Sequence, residues 1–334
     1  MAGYMQYHWP LIGHQPIKEY FARALSSGKI NHAYLFYGPA HVGKFTFAKM
    51  LAQTLLCDRN VGPGLVPGRG GAPSRGGQAS PALPGDAVAV PCEVCRSCTA
   101  FAHASHPDYT ELSTGEEAHI VIEQARALVV TLSTRPLLSP FRVGIIENAE
   151  TLTVEAGSAL LKTIEEPGAQ VVLILTASAP VAPTIASRCQ CIRFCDVPAS
   201  EMEAAFKDMA DGKEMLHAAY GRPGRALALK DPEIFSQYRE AVREVEQVLI
   251  SDEGERLLWV SARFGGRAEP AERREACRTF LQTLQEVARL RLAAQPHLAG
   301  LLARTIAAQH YLQANVDPRL AAEYVLLNHD THIP

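Results

Sequence analysis

Two groups of residues have the types and the spacing to do chemistry. Gly38-Pro39-Ala40-His41-Val42-Gly43-Lys44 matches G-x-x-x-x-G-K. In such a loop the backbone N–H groups cradle phosphate oxygens, and the lysine reaches the terminal phosphates. Cys92-x-x-Cys95-x-x-Cys98 places three thiols within seven residues. Tight turns can bring sulfurs so spaced to one tetrahedral ion at about 2.3 Å each.

The phosphate loop lacks parts that hydrolysis needs. The position after the lysine is Phe45, where a serine or threonine hydroxyl would hold Mg²⁺. Thr46 is a poor substitute, because one further helical residue turns the side chain by about 100°. After the apolar run ending at Ile146 come Glu147-Asn148-Ala149-Glu150. Glu147 can take the metal-side carboxylate position, but Asn148 stands where a general base is needed and accepts no proton at neutral pH. Nucleotide binding without efficient hydrolysis is the expectation. The plainer alternative is that Gly38 and Gly43 only shape a turn and Lys44 is solvated.

For the thiols, Cys57 is the natural fourth ligand, since a long intervening loop adds little closure cost. His103 and His106 are the alternatives. A four-sulfur site has no open coordination position, so the expected zinc is structural. Cys189, Cys191, Cys195 and Cys277 read as ordinary strand or core residues.

These groups need elements to position them. Ala33–Tyr37 predicts a buried strand running into the glycine-bounded loop, and 45–56 a helix. Between 58 and 91, eight glycines and six prolines in 34 residues predict a flexible insertion without regular structure. Further strands are expected at 109–112, 141–146, 171–176 and 189–195, and helices at 123–133 and 154–165. That alternation predicts a parallel sheet covered on both faces, with ligands at the carboxyl ends of its strands. From residue 200 only helical spacing remains, at 201–209, 213–220, 235–249, 274–293 and 298–314. Pro198 and Asp231-Pro232 suggest boundaries, giving an α/β domain over 1–197, a helical lid over 198–232 and an all-α domain over 233–334.

The chain has 334 residues, 47% apolar and 20% charged, enough to bury cores in two or three domains. Lys and Arg number 32 against 35 Asp and Glu, so no global positive field attracts nucleic acid. A free-standing nucleic-acid binder is therefore disfavoured. No apolar run approaches membrane-spanning length and no leader pattern opens the chain, so a cytoplasmic setting is expected, where clustered cysteines point to zinc rather than to disulfides.

Several segments together resemble a known family. They are Asn31-His32-Ala33-Tyr34-Leu35-Phe36 with the phosphate loop, and the cysteine run followed by His106-Pro107-Asp108-Tyr109. Ala159-Leu160-Leu161-Lys162-Thr163-Ile164-Glu165-Glu166-Pro167 and Ser187-Arg188-Cys189 complete the set. They are similar to the AAA+ clamp-loader subunits of bacterial DNA polymerase III, over most of residues 14 to 230. The missing hydroxyl and acidic pair match the delta-prime branch rather than the motor (gamma/tau) branch, as does Leu312-Gln313-Ala314-Asn315-Val316-Asp317-Pro318 onward.

The resemblance implies an AAA+ α/β P-loop domain with a zinc knuckle, then a small helical lid and an all-α collar that joins a hetero-pentamer. It implies gamma/tau and delta subunits as partners, with the sliding clamp and primed DNA reached through the complex. Arg188 would enter a neighbouring motor subunit's ATP site as an arginine finger in trans; without that likeness, an arginine on such a turn is usually solvated. Arg225, in Gly224-Arg225-Ala226-Leu227, resembles the sensor arginine of the second domain. With Gly38, Pro39, Gly43 and Lys44 it would contact ATP or ADP. Cys57, Cys92, Cys95 and Cys98 match the family's zinc ligands, although the 58–91 segment exceeds the family's spacer. The competing expectation is an active ATPase, either the motor subunit or another P-loop enzyme.

Overall fold

The structure is a computed structural model that describes residues 6–7, 9–59, 89–114, 119–166, 168, 170–207, 212–266, 269–292 and 294–327. It divides into two compact units, Met1–Ala228 and Leu229–Pro334.

In the first unit the elements run β1 (Gln6–Tyr7), α1 (Gln15–Ser26), β2 (Ala33–Tyr37), α2 (Lys44–Leu56), β3 (Ala89–Val90), α3 (Arg96–Ala102), β4 (Tyr109–Leu112), α4 (Ile122–Ser133) and β5 (Arg142–Ile146). They continue through α5 (Val154–Glu165), β6 (Val171–Ala177), α6 (Pro183–Ala186), β7 (Gln190–Arg193), α7 (Ala199–Ala205), α8 (Gly212–Ala219) and α9 (Pro223–Ala228). Five strands form a parallel sheet in the order β4-β5-β6-β2-β7. This is an α/β fold with the phosphate-loop sequence directly after β2.

Alternation along the strands explains the two-sided core. Tyr34 and Phe36 of β2 point to one face, where they meet Phe21 of α1 and Phe47, Leu51 and Leu55 of α2. Ala33 and Leu35 point to the other face, against Leu128 and Leu132 of α4 and Leu160 and Ile164 of α5. All seven residues of β6 are buried, as a central parallel strand requires. At about 1.5–3 kcal/mol for each large side chain, these two faces dominate the unit's stability. After β7, Val197, Met202, Phe206, Ala219 and Ala226 make a small separate cluster.

The second unit contains α10 (Pro232–Ile250), α11 (Glu253–Phe264), α12 (Pro270–Arg291), α13 (Leu298–Gln313) and α14 (Pro318–Leu327). Val260, Phe264, Leu281, Leu284, Leu301 and Val325 are among the side chains of its core. Arg256 is buried there because it caps three carbonyls, those of Val248, Leu249 and Leu326, at 3.1, 2.7 and 3.2 Å. No described helix in either unit is long and apolar enough to cross a membrane.

Several expectations need correction. Residues 15–26 are helical, with Pro16 in the first turn. Further helices, α6, α9, α11 and α14 among them, escaped the spacing argument. The helix expected over 201–209 ends at Ala205, and 208–211 lie outside the described residues. Most of the 58–91 insertion, residues 60–88, also lies outside them, but its end is regular: Ala89 and Val90 pair in parallel with Gln6 and Tyr7.

Candidate functional site

The phosphate loop follows β2 at the carboxyl end of the sheet. Gly38 has φ 142, and a Cβ there would stand 2.1 Å from the Phe194 carbonyl oxygen, so the turn admits only glycine. Gly43 has φ 97, with Leu11 Cδ1 2.7 Å from the place of its Cβ. Lys44 opens α2 and is 7% exposed. Its Nζ donates to Gly38 O at 2.8 Å, Pro39 O at 2.5 Å and Ser178 Oγ at 3.1 Å, which uses all three protons. Burial pulls this ammonium down to about 8, while Glu150 acts in the opposite sense. The loop is also held from outside: Val42 O takes a hydrogen bond from His14 Nε2 at 3.0 Å, and His41 O takes one from Gly224 N at 2.9 Å. The Gly224 bond sets the first turn of α9, with half-buried Arg225, against the loop.

The carboxylate that acts on this lysine is Glu150. Asn148 has φ 53, and this left-handed step turns the chain so that Glu150 Oε1 accepts from Ser178 N at 3.0 Å. Glu150 Oε2 is buried with no partner. Glu147 instead shares its surroundings with Glu111 and Lys49; burial first, then Glu111, raises its carboxyl above the usual range. Sequence reasoning missed Glu150 and Ser178. The available signals were the third residue after Glu147 and the polar residue that directly follows β6. Phe45 packs against the core of the α1 and α2 face, with Lys49 Nζ 4.4 Å from its ring centre. No hydroxyl stands at that helix position.

The structure brings Cys57, Cys92, Cys95 and Cys98 together, with all sulfurs within 4.8 Å of one another. Cys57 ends α2 and Cys95 caps α3. Cys92 Sγ accepts from Cys95 N and Cys95 Sγ from Cys98 N, each at 3.4 Å, the N–H···S pattern of a metal knuckle. A hydrogen bond from Cys98 lowers Cys57 to about 5; burial and the Cys57 charge raise Cys95 to about 11. Left alone, the set cannot ionise fully, and a dication is the partner its chemistry fits. The two histidines are excluded as fourth ligand. His103 caps the end of α3, and His106 turns to Ser139 Oγ at 3.1 Å. The other four cysteines form no second cluster among the described residues.

A buried polar chain ties this knuckle to the sheet. Asp58 Oδ1 accepts from Ser97 Oγ at 2.7 Å, Ser97 Oγ lies 3.0 Å from Ser139 Oγ, and Ser139 Oγ donates to Leu56 O at 2.8 Å. Ser139 N, Leu137 N and Leu138 N all donate to the Asp108 carboxylate, at 2.8, 2.7 and 2.7 Å. Arg142 Nη2 adds a fourth bond at 3.2 Å.

Arg188 lies on the turn between α6 and the edge strand β7. Its Nε donates to Glu165 Oε1, and its Nη1 donates to Thr184 O at 2.9 Å. The side chain is 38% exposed.

The family model for "DNA polymerase III, delta subunit" matches residues 13–63 and 83–198. DNA polymerase III subunit delta' of Pseudomonas aeruginosa is 32% identical over 228 residues, covering 65% of this chain and 61% of its own length. DNA polymerase III subunit tau of Salmonella typhimurium is 26% identical over 247 residues, covering 73% of this chain and 33% of its own. The chain thus spans about three-fifths of the first relative and a third of the second. A gamma subunit-related protein from Thermotoga maritima is a structural neighbour at TM-score 0.42 and 15% identity, covering 92% of this chain and 97% of its own. By the family model and the delta' relative, the chain belongs to the DNA polymerase III delta-subunit family, on its delta-prime branch.

Proposed function

We propose that the chain serves a DNA polymerase III clamp loader as its delta-prime subunit, lending Arg188 to a neighbouring motor subunit and hydrolysing little or no ATP itself. It would act in the cytoplasm, in a ring with gamma/tau and delta subunits that places the sliding clamp on primed DNA. The observation that carries this reading is the contrast between two cations. Lys44 is buried with every donor spent on its own loop and Ser178, whereas Arg188 reaches solvent. Phe45 in place of a hydroxyl and Asn148 in place of a base support the same reading.

Within it, residues 198–232 act as the lid and 233–334 as the collar. Gly38, Pro39, Gly43, Lys44 and Arg225 would contact ATP or ADP if nucleotide enters, and Lys44 must then exchange its carbonyl partners for phosphate oxygens. Cys57, Cys92, Cys95 and Cys98 would hold zinc, whose contribution there is structural cross-linking.

The test is reconstitution with the partner subunits, clamp and primed DNA, comparing the intact chain with Arg188→Ala. Arginine fingers contribute roughly 10³- to 10⁵-fold at the site they enter. The variant should therefore silence the adjoining motor site and impair clamp loading. Unchanged hydrolysis refutes the trans role. Brisk turnover by the isolated chain, abolished by Lys44→Ala, would establish the active-ATPase alternative.

A further inference from the structure

We infer that Glu165 is a positioning residue for Arg188, holding the guanidinium so that its Nη2 edge faces outward for a phosphate on a neighbouring subunit. This rests on the trans role proposed for Arg188.

The arginine sits on a turn fixed at two points. Ile185 is buried in the sheet core, and its Cδ1 lies 3.3 Å from where a Cβ on Gly157 of α5 would be, so α5 and α6 approach closely. Three residues on, Arg188 N donates to Ile185 O at 3.1 Å, which sets the backbone from which the side chain departs. A long side chain on a fixed backbone still has its own rotamers to lose. Here two bonds restrict them: Nε to Glu165 Oε1, and Nη1 to Thr184 O at 2.9 Å, with Ser187 Oγ at 3.4 Å from Nη1. No described residue accepts from Nη2.

Glu165 is suited to this task by its place. It is the last residue of α5, directly after Ile164, which anchors the helix end in the core. With 38% and 45% of the two side chains exposed, the pair contributes little to stability; its effect is on where the guanidinium points. A carboxylate that takes Nε leaves four N–H donors on the two terminal nitrogens, one already spent on Thr184. An incoming phosphate therefore meets an oriented group without having to displace Glu165.

The test uses the full loader reconstituted with clamp and primed DNA, carrying Glu165→Gln, Arg188→Ala, or both. Glu165→Gln should lower kcat at the adjoining motor site by about three- to tenfold, with KM for ATP and the chain's melting temperature unchanged. In the Arg188→Ala background the same substitution should change nothing. A normal or raised kcat for Glu165→Gln, beside a depressed one for Arg188→Ala, overturns the positioning role and leaves the finger standing. A loss that persists without Arg188 also overturns it, because Glu165 would then act through another group. If Arg188→Ala itself is silent, the finger and its positioning fall together.

Discussion

Replacing Asp108 by alanine is the sharpest probe of how the thiol knuckle is joined to the sheet. The carboxylate is fully buried and accepts four bonds, three from consecutive backbone N–H groups and one from Arg142. Its removal takes the acceptor from three backbone donors, of which Ser139 N is buried, and leaves the Arg142 guanidinium with only Thr131 O and Arg135 O, at 3.1 and 3.0 Å; its Nε already lacks a partner. Breaking a buried ion pair from one side costs about 3–5 kcal/mol, and each orphaned donor about 1–3 kcal/mol before water relieves it. We therefore expect a loss of about 4 kcal/mol, a large share of the roughly 5–15 kcal/mol that holds a domain together. Urea unfolding can read this in one unit alone. The chain has two tryptophans, Trp9 and Trp259. In a Trp259→Phe background the emission reports only Trp9, which is buried against Phe47 and bonded to Thr54 of α2 at 2.9 Å. With an m-value of about 2–3 kcal/mol per molar urea, the midpoint should fall by roughly 1.3–2 M. Asp108→Asn, which keeps one acceptor oxygen, should fall between the two. A shift below roughly 0.4 M for Asp108→Ala would refute the claim that this carboxylate holds the region.

Other outcomes follow from the same geometry. Gly38→Ala forces a Cβ to 2.1 Å from Phe194 O at φ 142, and should cost about 3 kcal/mol in the same unfolding assay. Lys44 has a folded pKa of about 8 against an ordinary 10.5, so between those values the unfolded chain carries the extra proton and stability rises with pH. The rise is on the order of 3 kcal/mol, and Lys44→Met should remove it from the difference between wild-type and variant stability–pH curves. Purified chain should carry one zinc by elemental analysis; Cys98→Ser or chelation should strip it and lower the melting temperature reported by Trp9.

What could be read from the sequence was whatever a local pattern encodes. β6 stands out by the five-residue apolar run Val171 to Leu175, because a central strand is buried on both faces. The phosphate loop and the three clustered cysteines were legible because their ligands are neighbours in the chain. Helix α1 was obscured by its polar start, although Pro16 marks it, and α11 carries a capping box between Asp252 and Glu255 that went unread. Other features have no local signature. The pairing of Gln6–Tyr7 with Ala89–Val90 and the meeting of Glu165 with Arg188 depend on the finished fold. The choice between Glu147 and Glu150 rested on one left-handed residue, Asn148, whose conformation composition does not announce.

The two margins of the segment between Asp58 and Ala89 are fastened separately, one by the Ser97 hydroxyl and the other by a strand pairing with the chain's first described residues. Both fastenings bear on the thiol cluster. The Ser97 bond holds the residue directly after Cys57, and the strand pairing holds the residues just before Pro91 and Cys92, so two of the four sulfurs are delivered by contacts that involve no sulfur at all.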